Sequence, residues 1–168
     1  RSQTVTGVQT CALPICVGAS VVVVLWDLTR AKIHELGHMP GTREFRAMER
    51  NPEAEGIPDI HLMRIDARFS FANSEQLQQE VIDEVEGTSV RAVVMDLSGV
   101  NSLDTTACAM LEDVVDKLDE LGVNLYVAGA KGPIRKVLQK SGLWERIGEE
   151  HFFLNPHLAV SSILERWG

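Results

Sequence analysis

Apolar positions along the chain change their period in a regular order. Arg43–Met48 and Ile60–Ile65 read as short strands, separated by a polar stretch rich in turn formers (Pro52, Gly56, Pro58). Asn73, with Gln76 three residues on, has the form of a capping box, and Leu77, Val81 and Val85 then recur at helical spacing until Gly87. Val90–Leu97 is nearly continuous in its apolarity, the pattern of a strand covered on both faces. Asp104 predicts the cap of a long helix with Ala107, Leu111, Val114, Val115, Leu118 and Leu121 on its buried stripe, ended by Gly122. Val123–Ala130 is the next strand, and Pro133 opens a third helix that Gly142 closes. Phe152–Leu154 reads as a last short strand. Asn155-Pro156 then opens a terminal helix carrying Ala159, Val160, Ile163, Leu164 and Trp167 inward. Alternation of this kind predicts an α/β domain, a central and mostly parallel sheet with helices packed on it.

The front of the chain breaks the pattern. Arg1–Ile15 has no acidic residue and no periodicity, and Val5–Ile15 resembles the in-frame translation of a sequencing adapter. A signal peptide fits less well, because Gln3, Thr4, Thr6, Gln9 and Thr10 occupy the place of an apolar core; residues 1–15 are set aside as foreign. Cys16–Trp26 is apolar. Its four consecutive valines suit a buried strand, whereas Gly18, Ala19 and Ser20, with Trp26 at the boundary and Arg30 and Lys32 beyond it, suit the end of a membrane helix. No full span is present: the longest apolar stretch, Cys11–Trp26, is interrupted by Pro14, and a span needs about 20 residues. The expected organisation is a truncated membrane helix over residues 16–27, a linker over 28–40, and a folded domain over 41–168. The basic residues place that domain on the cytoplasmic side.

At 168 residues, with 45% hydrophobic and 24% charged positions, the chain supports one globular domain. A net charge of −8 argues against a protein that tracks a nucleic-acid backbone. Three cysteines cannot close a disulfide framework. The acid is concentrated: residues 71–130 hold 12 Asp and Glu against 2 Lys and Arg. Much of it (Glu112, Asp113, Asp116, Asp119, Glu120) lies opposite the apolar stripe of the long helix, as a solvated face or as a docking surface for a basic partner.

His34-Glu35-Leu36-Gly37-His38 matches the H-E-x-x-H zinc pattern, which needs both histidines on one helix face and the glutamate as base. Gly37 inside that helix and Pro40 just after it oppose the reading, so a zinc metallohydrolase is only a remote alternative. Cys108 falls on the apolar side of the long helix, and His61, His151 and His157 have no neighbours suggesting a triad or ligand set. No catalytic residue, metal ligand or cofactor is expected, and no enzyme activity.

The informative stretch is Asp96–Leu111, DLSGVNSLDTTACAML. A strand ends in Asp96-Leu97-Ser98, a short loop follows, and a helix opens at Asp104 with hydroxyls at Thr105 and Thr106. A helix N-terminus there could hold an oxyanion on its unpaired amides, or Asp104 could simply cap it.

Asp96, Leu97, Ser98, Val100, Asp104, Thr105 and Thr106 resemble the D-L-S-x-V-x-x-x-D-[ST]-[ST] signature of the STAS domain, shared by anti-sigma-factor antagonists and the cytoplasmic tails of SulP anion transporters. The transporter branch is the more similar. Leu36–Thr42 resembles the linker leaving its last membrane helix, Phe71-Ala72-Asn73 its first domain helix, and Lys131-Gly132-Pro133 with Ser141-Gly142-Leu143 its later helix and exit. The resemblance implies a STAS-like fold and a regulatory domain, without transport activity of its own, cut from a membrane-integral transporter whose default anion is sulfate. It implies as partners the missing transmembrane domain, a second copy, and a nucleotide or regulatory protein at Thr105, with Asp104, Thr106, Asp96 and Ser98 around it. Soluble antagonists are phosphorylated at the position of Thr105, but the small glycine that often follows their hydroxyl pair is Ala107 here. The alternative is a free-standing phospho-switch module that binds a kinase-like partner.

Overall fold

The computed structural model describes residues 15–24, 32–66 and 74–168. The chain forms two units, Arg1–Arg30 and Ala31–Gly168. In the first, residues 15–24 form helix α1. The four valines are therefore helical, against their strand propensity, and Val21, Val22, Val23 and Val24 are each more than half exposed. No helix among the described residues is long and apolar enough to cross a membrane. The adapter-like stretch before residue 15, the boundary residues Trp26 and Arg30, the capping box at Asn73 and the Phe71-Ala72-Asn73 motif lie outside the described residues.

The second unit is built on a six-stranded sheet. Its strands are β1 (Lys32–His38), β2 (Phe45–Ala47), β3 (Ile60–Asp66), β4 (Ala92–Asp96), β5 (Asn124–Ala128) and β6 (Phe152–Phe153), in the order β2-β1-β3-β4-β5-β6. β1 runs antiparallel to both neighbours, and β3 through β6 are parallel. The helices are α2 (Ser74–Val85), α3 (Thr105–Glu120), α4 (Gly132–Ser141), α5 (Leu143–Ile147) and α6 (Pro156–Trp167). Every β4 residue is buried because the sheet is covered on both sides. Val93, Met95 and Val127 pack into one core with Leu77 of α2, Leu111 of α3 and Leu138 of α4. Val94, Tyr126 and Leu62 pack into the other with Ala159, Val160 and Ile163 of α6. Each fully buried leucine or isoleucine contributes about 2 kcal/mol, so these two layers hold the strand ends in register.

Three expectations change. Residues 28–40 are not all linker: β1 lies within them, so the sheet begins at Lys32. Leu121 is off the buried stripe at 38% exposure, because α3 ends at Glu120 and Leu121 caps it. Leu164 of α6 also faces outward, while Trp167 is half-buried against Arg91, whose guanidinium lies 4.2 Å from its ring centroid. The zinc-like motif is strand rather than helix. His34 and His38 share one face, but four strand residues separate them by about 13 Å, too far to share one metal ion. Glu35 projects to the opposite face.

Candidate functional site

Parallel pairing brings the C-terminal ends of β3, β4 and β5 to one edge, with Arg64, Asp96 and Ala128 in register. Asp96 closes β4 and is wholly buried. Its Oδ1 accepts the Ser98 N–H at 2.9 Å, and its Oδ2 accepts Arg64 Nε at 2.9 Å. The pair is asymmetric: the Arg64 side chain is 36% exposed, that of Asp96 1%. The chain then turns tightly, Val100 N–H donating to Leu97 O at 3.0 Å. Buried Val100 and Leu103 fasten this loop into the core. Gly129 lies over it at φ +68°, and a Cβ there would stand 2.7 Å from Asp96 Oδ1 and 3.0 Å from Ser98 Cβ. Glycine is required by both the backbone angle and the close approach.

The loop delivers the chain to α3. Asp104 is extended (φ −97°, ψ 175°) and its Oδ1 accepts the Ala107 N–H at 2.8 Å, a true N-cap. Thr105 and Thr106 form the first turn, and both are exposed, as is Ser98. Lys131, at the start of α4, donates to Asn101 Oδ1 at 2.8 Å and ties the loop from the other side. Of the two threonines, Thr105 alone lines a cavity of about 680 Å³ between α3 and α4, with Leu103, Cys108, Val137 and Lys140. The Cys108 thiol is pushed above its ordinary value, chiefly by burial and further by Asp104, against a hydrogen bond with Ser141. It is a core residue, not an activated nucleophile.

The predicted site residues therefore separate into two groups. Asp96 and Ser98 are joined directly and shape the loop; Asp104, Thr105 and Thr106 form the exposed helix start. The buried Asp96 carboxylate has both oxygens engaged, so it holds the loop rather than meeting a ligand. The helix mouth offers a hydroxyl to a modifying enzyme and residual amide charge to an anion, but the Asp104 carboxylate opposes a second negative group there. Arg64 is the site residue that sequence reading missed. Its signal was slight: an arginine continuing the Ile60, Leu62 face at the end of an apolar strand.

A family model described as the STAS domain matches residues 51–159. The chain belongs to the STAS domain family. The match begins after β1 and β2, but similarity to longer proteins extends beyond it. Sulfate transporter 1.3 of Arabidopsis thaliana is 31% identical over 89% of this chain and 24% of its own length. High affinity sulfate transporter 2 of Stylosanthes hamata is 28% identical over the same shares of 89% and 24%. The STAS chain thus spans about a quarter of the length of the curated relatives it matches. Among solved structures, the murine Slc26a9 anion transporter aligns with a TM-score of 0.74 at 21% identity, covering 88% of this chain and 24% of its own. The anti-sigma factor antagonist SpoIIAA in its unphosphorylated form aligns at 0.56 and 14% identity, over 79% of this chain and 96% of its own. Both confirm the mixed α/β fold, a mostly parallel sheet with helices around it.

Proposed function

We propose that this chain is the cytoplasmic regulatory domain of a SulP-type anion transporter, with sulfate as the anion, preceded by the end of the last membrane helix. One observation carries the reading: similarity to sulfate transporters runs over 89% of the chain and so takes in sequence ahead of the STAS match. The exposed valines of α1, followed within a few residues by β1, are consistent with a helix whose proper surroundings are lipid. Transport itself belongs to the membrane portion. The role of this domain is to fold against that portion and to pass cytoplasmic signals to it, with Thr105 as the residue open to phosphorylation or to an anionic ligand.

The gene upstream of codon 16 tests the reading. Several in-frame apolar segments of about 20 residues are expected there; a gene that instead starts at an initiation codon close to Gly41 would make the chain a free-standing switch. Sulfate uptake by the parent protein in vesicles, with Thr105→Val and Thr105→Glu, tests the regulatory part. Unchanged uptake in both variants removes Thr105 from it.

A further inference from the structure

Helix α6 covers one sheet face over β4 and β5, but over β1 and β3 that face is left to the turn after β2. The turn folds back on itself, Arg50 N–H and Asn51 Nδ2 donating to Ala47 O at 3.1 and 3.0 Å. Between it and the sheet lies a hollow of about 350 Å³, lined by Arg46, Arg50 and Arg64 with His34, Asn51 and Asp66. A second hollow of about 520 Å³ shares Arg46 and Arg64 and adds Arg43. Four arginines and no lysine thus line one groove, on a chain whose net charge is −8. Their charge is only partly answered. Arg46 pairs with Glu44 at 3.0 Å, where both side chains are exposed, and Arg64 gives its Nε to Asp96. Arg43 and Arg50 have no ion-pair partner among the described residues. The His34 side chain is 14% exposed; its Nδ1 is buried and makes no hydrogen bond, although Glu49 Oε2 stands 3.5 Å away. The protein's own groups therefore leave this wall incomplete.

A guanidinium fork matches paired oxygens on a carboxylate or an oxyanion, and three forks around one hollow suit a dianion. Asp66 narrows the choice. It lines the same hollow, is exposed, and its Oδ2 stands 3.9 Å from His34 Nε2, too far for that nitrogen to engage it. An ionised carboxylate only accepts hydrogen bonds. It repels sulfate, which carries no proton at neutral pH, and accepts the P–OH that hydrogen phosphate retains. We infer that this hollow binds inorganic hydrogen phosphate, its oxygens on Arg46, Arg50 and the Nη groups of Arg64 and its hydroxyl on Asp66. The inference goes beyond the transporter reading and does not depend on it: sulfate, the anion proposed for the membrane portion, is the ion this hollow rejects. Arg64 serves both places, because its Nε holds Asp96 beneath the signature loop.

Calorimetric titration of the whole chain with sodium phosphate and with sodium sulfate, at one ionic strength and about pH 7.5, tests it. Phosphate should bind saturably, about tenfold or more tighter than sulfate. Arg50→Gln should weaken phosphate about tenfold, whereas Lys136→Gln, on the exposed side of α4, should change it less than about twofold. Asp66→Asn keeps the shape of the wall but removes its charge and offers sulfate a donor, so it should erase the preference, chiefly by strengthening sulfate. Arg46→Gln repeats the arginine test in case Arg50→Gln does not fold. Absence of saturable phosphate binding, equal binding of the two anions, or a preference that survives Asp66→Asn overturns the inference. So does a loss in Lys136→Gln that matches the loss in the arginine variants.

Discussion

Replacing Arg64 by methionine should destabilise the domain far more than a half-exposed arginine ordinarily would. The cost arises at Asp96, which stays buried with its Ser98 bond but loses the guanidinium on its other oxygen. Stranding one member of a buried pair costs about 3–5 kcal/mol. Arg64 is 36% exposed, so water can approach the vacated side, and about 3 kcal/mol is the value expected. Asp96→Asn keeps an acceptor for Ser98 but sets an amide N–H against Arg64 Nε–H, for about 2 kcal/mol. In Arg64→Met/Asp96→Asn no charge remains buried, so the double variant should lose about 2–3 kcal/mol rather than the additive value near 5. Urea unfolding followed by Trp144 and Trp167 fluorescence reads this directly. With a denaturant slope of about 1.5–2 kcal/mol per molar, Arg64→Met lowers the midpoint by about 1.5–2 M. A loss below about 1 kcal/mol for Arg64→Met, or an additive double variant, would refute the reasoning.

Three further outcomes follow from the same geometry. Gly129→Ala should cost about 2–4 kcal/mol, since it combines φ +68° with contact on Asp96 and Ser98, whereas Gly87→Ala (φ +78°, nothing within 4 Å) should cost about 1; paired urea curves check the difference. Asp104→Ala removes the cap and should cost about 1 kcal/mol, while exposed Thr105→Ala should stay within about 0.5, so that a transport defect in the latter could not be assigned to misfolding. His151 sits below its ordinary 6.5, mainly through burial, opposed by Glu150 and reinforced by Arg166. The folded form therefore binds the proton more weakly than the unfolded chain. Its contribution is complete above about pH 6.5 and declines as pH falls through the lower folded value, and His151→Gln should flatten that part of the stability–pH curve, read by denaturant titration at each pH.

Local periodicity and cap chemistry made most of the parallel layer readable. The stripe from Ala107 to Leu118, the cap at Asp104, the apolar run of β4 and the left-handed Gly142 at the end of α4 each follow from interactions within a few residues. What escaped is set by distant neighbours. β1 has polar residues on both faces, so its alternation is hidden. Its Gly37 is explained only by packing, because a Cβ there would stand 2.9 Å from Met48 Cγ and 3.0 Å from the Ala54 backbone. A motif that spells a helix-borne metal site in isolation is held extended by pairing with β2 and β3 on either side. Tertiary pairing overrides a short pattern whose own helix propensity is poor.

The same distinction explains the division of labour within the STAS signature. Its two acids look alike in sequence, each with a hydroxyl residue two positions on (Ser98, Thr106), yet one is wholly buried and the other caps an exposed helix. Asp96 can be buried because its partner comes from β3, 32 positions earlier in the chain, through parallel register. With that carboxylate neutralised below, the loop above it is fixed by Ser98, Gly129 and the Lys131–Asn101 bond, and α3 can begin at one defined point. The exposed hydroxyl of Thr105 is thus presented from a rigid mount rather than a free loop. A charge added to Thr105 would act against Asp104 and the cavity wall, a local contest whose outcome the buried pair beneath does not share.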